Sequence, residues 1–148
     1  MLETKLDSDI KQALLGGDKF RAEVLRGLKS VLLNEKIATG QRGEGLSDAT
    51  VLSLISKEAK KRAESAGFYR QGGSPERAEK ELKEKAILEA YLPKQISDDE
   101  LDQAIIEAIA QLGDNAQLGQ VIGAVRQKVG ASADGGRIAA AVKAKLGS

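Results

Sequence analysis

The 148-residue chain contains no cysteine and no histidine. Without cysteine there is no disulfide, no thiolate nucleophile and no thiolate-ligated metal. Without histidine the chain lacks the side chain that most often acts as general base near neutral pH and as transition-metal ligand. Aromatic residues are only 3% of the chain, so any core has to be aliphatic, made of Leu, Ile, Val and Ala. The two prolines both fall where helices would start or stop. No run approaches the roughly 18 apolar residues of a membrane span, and Met1-Leu2-Glu3-Thr4-Lys5 has no apolar signal region. A cytoplasmic protein that does not enter the membrane is expected. Neither sign of charge prevails. With 23 Lys and Arg against 22 Asp and Glu, the net charge is too small to coat nucleic acid by charge alone, although it leaves room for a local basic patch.

What is present is helical periodicity, and strand alternation never appears. Leu2, Leu6, Ile10 and Ala13 share one face of a first helix over about 2–15, closed by Gly16-Gly17. Asp18 can cap a second helix carrying Val24, Leu25, Leu28, Val31 and Leu32 to about Ala38. Residues 39–45 hold three glycines and read as a mobile loop. Ser47 caps a third helix with Val51, Ile55, Ala59 and Ala66 inward, broken at Gly72-Gly73. Pro75, at a first helical position, opens a fourth that closes on Leu88, Tyr91 and Leu92. On this fourth helix Glu76/Lys80, Glu79/Lys83 and Glu81/Lys85 are spaced to pair.

Leu92-Pro93-Lys94-Gln95-Ile96 reads as a joint, giving a module over 1–93 and a second over 94–148. In the second, Ser97 and Glu100 form a capping box ahead of Leu101, Ile105, Ala108, Ile109 and Leu112. A sixth helix carries Leu118, Val121, Ile122, Val125 and Val129. The last, after Asp134-Gly135-Gly136, carries Ile138, Val142 and Leu146. Three short amphipathic helices can bury one another's stripes. The expected fold is all-α, an N-terminal helical module followed by a small three-helix one.

Two longer stretches resemble a known family. Lys57-Glu58-Ala59-Lys60-Lys61-Arg62-Ala63-Glu64-Ser65, followed by Leu88-Glu89-Ala90-Tyr91-Leu92-Pro93-Lys94-Gln95 and Glu100-Leu101, is similar to the central region of YqeY proteins. Leu118-Gly119-Gln120-Val121-Ile122-Gly123-Ala124, through Lys128 to Ala133-Asp134-Gly135, resembles both the YqeY C-terminus and the tail of GatB, a subunit of the tRNA-dependent glutamine amidotransferase. The first helices, around Leu25-Arg26-Gly27-Leu28-Lys29-Ser30, look similar as well, so the resemblance to the GatB/YqeY family spans the chain. It implies that the C-terminal module is of the kind GatB uses to contact tRNA. The GatB body with its ATP and metal sites is absent, as is the glutaminase Ser-Ser-Lys set. A family-level association with carbon–nitrogen ligase activity using glutamine therefore rests on the shared tail alone. No catalytic residue, cofactor or metal is expected. The partners implied are tRNA, or components of the amidotransferase or translation machinery.

The candidate RNA contacts follow from charge and from two unexpected glycines. Residues 97–114 carry six acids and no base, whereas 115–148 carry Arg126, Lys128, Arg137, Lys143 and Lys145 against Asp134 alone. This is either a dipolar module whose helices pair by charge or a binding surface. Gly119, Gly123 and Arg126 share a helical face opposite the apolar stripe, and a glycine in a helix costs about 1 kcal/mol relative to alanine. Either another helix packs on that bare face, or a sugar–phosphate backbone approaches it. Asp134 is expected to cap the last helix, leaving Arg137 as the anion contact there. Lys57, Lys60 and Lys61 form the densest basic run. It is a solvated face with local Glu58/Arg62 and Lys60/Glu64 pairs, or a phosphate contact. No aromatic is seen to interleave it as a base-stacking platform would. The rival to RNA association is a protein–protein adaptor.

Overall fold

The computed structural model describes residues 1–147. Among them are seven α-helices, a single 3₁₀ turn and no strand. The fold is all-α. It divides into two compact units, Met1–Leu92 and the chain from Pro93 onward.

The first unit comprises α1 (Leu2–Leu15), α2 (Lys19–Thr39), α3 (Asp48–Gln71) and α4 (Pro75–Glu89). Side-chain caps set two of the starts. The Asp18 carboxylate accepts the Arg21 amide at 3.0 Å, and the Ser47 hydroxyl accepts that of Thr50 at 3.2 Å, each cap contributing about 1 kcal/mol. Ser74 makes no such bond, and Pro75 in the first turn opens α4 instead. Leu6 and Ile10 of α1, Leu25, Leu28 and Leu32 of α2, Val51, Ile55 and Ala59 of α3, and Leu88 of α4 close on one another.

The glycine-rich segment after α2 is tied down at its far end. Leu46, 3% exposed, joins this core. The Leu46 amide donates to the Glu3 carboxylate at 2.9 Å, and Lys36 pairs with the same carboxylate at 2.5 Å. Burial opposes ionisation of Glu3, yet these two contacts outweigh it and hold the carboxyl below the usual range. Gly45 has φ +78°, and a Cβ there would stand 2.9 Å from that Glu3 oxygen. Only glycine fits this turn.

The second unit holds α5 (Asp98–Leu112), α6 (Leu118–Val129), a 3₁₀ turn (Gly130–Ser132) and α7 (Gly135–Leu146). The Ser97/Glu100 capping box forms. Leu101, Ala104, Ile105 and Ala108 of α5 meet Val121 and Val125 of α6, Ala133, and Ile138 and Val142 of α7. The expected stripes overreach at their ends. Leu112, Leu118 and Leu146 are 43%, 37% and 37% exposed, because helices of 12–15 residues bury only the turns that face a neighbour. The segment entering the unit is fixed to it. The Ile96 amide donates to the Ser132 carbonyl at 2.9 Å, and the Gln95 side-chain amide to the Ala131 carbonyl at 3.1 Å.

Candidate functional site

The most distinctive surface of the second unit is the outer face of α6. Gly119 and Gly123 are both exposed, and a Cβ built at either would meet nothing within 4 Å. Within the second unit no described helix lies over them. The propensity loss, about 1 kcal/mol for Gly123 in the helix interior and less for Gly119 in the first turn, has no offset among the described residues of that unit. Arg126 stands one turn further along the same face. Its guanidinium Nη2 lies 3.9 Å from where a Cβ on Gly135 would be, which sets the cation beside the first turn of α7.

The basic arm of the second unit is largely answered from within. Lys128 pairs with Glu107, which holds the Glu107 carboxyl below its usual range, and Arg137 pairs with Asp98 at 2.8 Å. The acidic first turn of α5 thus meets the start of α7. Asp134 caps α7 as expected, accepting the Arg137 amide at 2.9 Å. Lys143 and Lys145 are exposed in the last turn of α7, on a different helix from the glycine face. Geometry brings Gly119, Gly123 and Arg126 together and commits Lys128 and Arg137 to α5. From Pro93 onward the chain has six bases against seven acids, so it presents no net positive field.

On the first unit Lys57, Lys60 and Lys61 are all exposed on α3. Lys61 pairs with Glu58 at 3.2 Å, whereas Lys57 and Lys60 have no acid within ion-pair distance among the described residues. The expected Lys60/Glu64 pair does not form. No aromatic interleaves the run itself, but Phe68 further along α3 shares its face. At 100° per residue, Lys57, Lys61 and Phe68 fall on one stripe of α3, and Phe68 is 72% exposed.

The expected Glu58/Arg62 pair does form, but the sequence reading missed the half-buried charge cluster between α2, α3 and α4 to which it belongs. Glu58 is only 8% exposed. It sits three residues after Ile55, on the inward side of a run that reads as solvated. Arg62 lies 3.7 Å from Glu58, 3.4 Å from Glu84 and 3.9 Å from Glu81. The three anticipated pairs along α4 are absent among the described residues. Glu81 turns to Arg62 instead of Lys85, and Lys85 pairs with Glu89 at 3.6 Å. Spacing along α4 pairs Glu81 with Lys85, and only the packing of α3 against α4 reveals that it faces Arg62.

A second polar tie lies at the joint motif. The Tyr91 hydroxyl donates to Asp9 of α1, which also accepts Lys5 at 2.9 Å, and the Lys5 ammonium lies 4.9 Å from the Tyr91 ring centre. The Tyr91 hydrogen bond lowers the Asp9 pKa, while burial and then Asp9 push the Tyr91 phenol above its usual range. This arrangement anchors the end of the first unit.

A family model for YqeY-like proteins matches residues 3–146. The chain belongs to the YqeY-like protein family. The altered inheritance of mitochondria protein 41, mitochondrial, of Kluyveromyces lactis is 28% identical to this YqeY-like chain over 129 residues, which cover 83% of the chain and 68% of the yeast protein. That relative's name places it in mitochondria, so the comparison does not carry over the cytoplasmic expectation. No helix among the described residues is long and apolar enough to cross a membrane. No group of three or more acidic side chains there is placed to hold a metal ion.

Proposed function

We propose that this YqeY-like chain is a non-catalytic, tRNA-associated module that docks through the bare face of α6. One observation carries the reading. Gly119 in the first turn and Gly123 in the interior of α6 are exposed and uncovered, at a cost in helix stability, largest at Gly123, that close approach by a partner's backbone would offset. The resemblance of this stretch to the GatB tail supports an RNA sugar–phosphate backbone as that partner, with Arg126 reaching a phosphate at the edge of the face. In glutamine-dependent tRNA amidation such a module would supply binding and no chemistry.

A gel-shift titration of the full chain with total tRNA at two salt concentrations tests this. Arg126→Glu is the clean variant, because Lys128→Glu would also set a second acid against Glu107. Loss of one phosphate contact should weaken binding and flatten the salt slope by about 0.7–0.9. The pairing of Lys128 and Arg137 inside the module favours a second reading, a protein–protein adaptor using the same glycine face. A chain that ignores tRNA at both salts selects the adaptor.

A further inference from the structure

The cavity bounded by α2, α3 and α4 is lined by three carboxylates and a single guanidinium. It has a volume of about 150 Å³. Its polar wall is Glu23 of α2, Glu58 and Arg62 of α3, and Glu84 of α4. Its apolar wall includes Val24, Leu28 and Leu88. Gly27 also lines it, and a Cβ added there would meet nothing within 4 Å.

Hydrogen bonding inside the cluster is incomplete. One Glu58 oxygen accepts Lys61 at 3.2 Å, but the other is 3.7 Å from the Arg62 guanidinium, too far for a hydrogen bond. The Arg62 Nε–H is buried and finds no acceptor in hydrogen-bonding geometry, and the buried Oε2 of Glu81 has no donor. Buried polar groups in folded proteins are almost always satisfied, and two orphans in one cluster mark a missing partner. The charges tell the same story. Glu58, Glu81 and Glu84 lie around Arg62, with the exposed Lys61 on Glu58 and Lys80 acting on Glu84, while Glu23 is exposed. The Arg62 guanidinium sits 3.4–3.9 Å from the three carboxylates, longer than a charge-assisted hydrogen bond. Burial, reinforced by Glu81, raises the Glu84 pKa, and Arg62 and Lys80 only partly oppose this. A carboxylate in that state is short of a counter-ion.

The carboxylates are not placed to bind a metal ion, and an apolar wall is the wrong lining for a hydrated one. We infer that the cavity receives an alkyl-ammonium or alkyl-guanidinium group, its methylenes against Val24, Leu28 and Leu88 and its charged head between Glu58 and Glu84. The size is right. At about 30 Å³ per water-sized group, the cavity holds about five heavy atoms, as many as four methylenes and a nitrogen. A free diamine and the Lys or Arg side chain of a partner protein both present this chemistry. The site is independent of the α6 face.

The test is a titration of the full ¹⁵N-labelled chain with n-butylammonium, followed at backbone amides, against uncharged butan-1-ol of the same length at matched ionic strength. Saturable shifts are expected at Gly27, Arg62 and Glu84 with the cation, and binding about tenfold weaker with the alcohol. Glu84→Gln should weaken the cation about tenfold. Gly27→Leu, which helix propensity favours, should close the cavity mouth and abolish binding with an unlowered melting midpoint. Arg126→Glu should leave binding intact, so failure here and failure of tRNA docking are separate results. Equal binding of butan-1-ol, no saturable shift, or undiminished binding by the Glu84→Gln or Gly27→Leu chain would each overturn the inference. A lysine peptide and 1,4-diaminobutane identify the source. The tighter of the two names it, and either order supports the site.

Discussion

Replacing Gly119 and Gly123 together by alanine should make the protein more stable and a poorer binder. The structure sets the magnitude. Both residues lie inside α6, both are exposed, and a Cβ at either meets no atom within 4 Å, so no packing term opposes the change. Helix propensity alone then acts, at about 0.8–1.0 kcal/mol for Gly123 in the helix interior and less for Gly119 in the first turn, or roughly 1–1.5 kcal/mol for the pair. For a unit of this size each kcal/mol moves the midpoint by about 4–8 °C, so a rise of about 4–12 °C is expected. The assay is a thermal melt of the full chain read at amide resonances of α5, α6 and α7, paired with a tRNA gel shift. The two methyl groups stand where a partner's backbone would lie, so affinity should fall while stability climbs. An ordinary destabilising mutation cannot produce that opposition. A lowered midpoint would mean that the face is covered in solution, and a raised midpoint with undiminished tRNA affinity would mean that the glycines are not kept for close approach.

Tyr91→Phe should cost about 1.5 kcal/mol, the low end for a hydrogen bond to a charged group, because Asp9 keeps Lys5. The folded-state pKa of Asp9 is depressed, so its contribution is complete above the unfolded value and lost as pH falls through the folded one. That of Tyr91 is raised, so its contribution is complete below about 10 and lost as pH rises through the folded value. Urea unfolding across pH should therefore show a deficit that is flat near neutrality and shrinks at both extremes, and a pH-independent deficit would refute the charge-assisted bond. Gly45→Ala should destabilise the first unit by about 1–3 kcal/mol, since it combines a positive φ with a clash against Glu3; an unchanged melt would exclude that geometry. A fragment starting at Pro93 should melt cooperatively by circular dichroism. One starting at Ser97, which lacks the Ile96–Ser132 and Gln95–Ala131 bonds, should melt lower, and equal midpoints would count against the role given to that segment.

Much of the helix architecture was legible because it depends on neighbours in the chain. Glycine pairs, Pro75 and the caps Asp18, Ser47, Ser97 and Asp134 stop and start helices through contacts within four residues, and a 3.6-residue period selects Leu25, Leu28 and Leu32, or Val121 and Val125, for burial. The shared face of Gly119, Gly123 and Arg126 followed from the same period. Tertiary structure decided what lies opposite each face. Nothing covers the two glycines, whereas acids from α5 claim Lys128 and Arg137 across 21 and 39 residues of chain. Glu58 and Glu81 read as i,i+4 partners of Arg62 and Lys85 on their own helices and Glu84 carried no signal, and only when α3 packs against α4 does Arg62 come between the three. Local sequence determined where this chain is helical and which stripe of each helix is apolar. Which charge meets which, and which surfaces are left without a partner, was set only when the helices came together, because electrostatic pairing depends on distance through space and not along the chain.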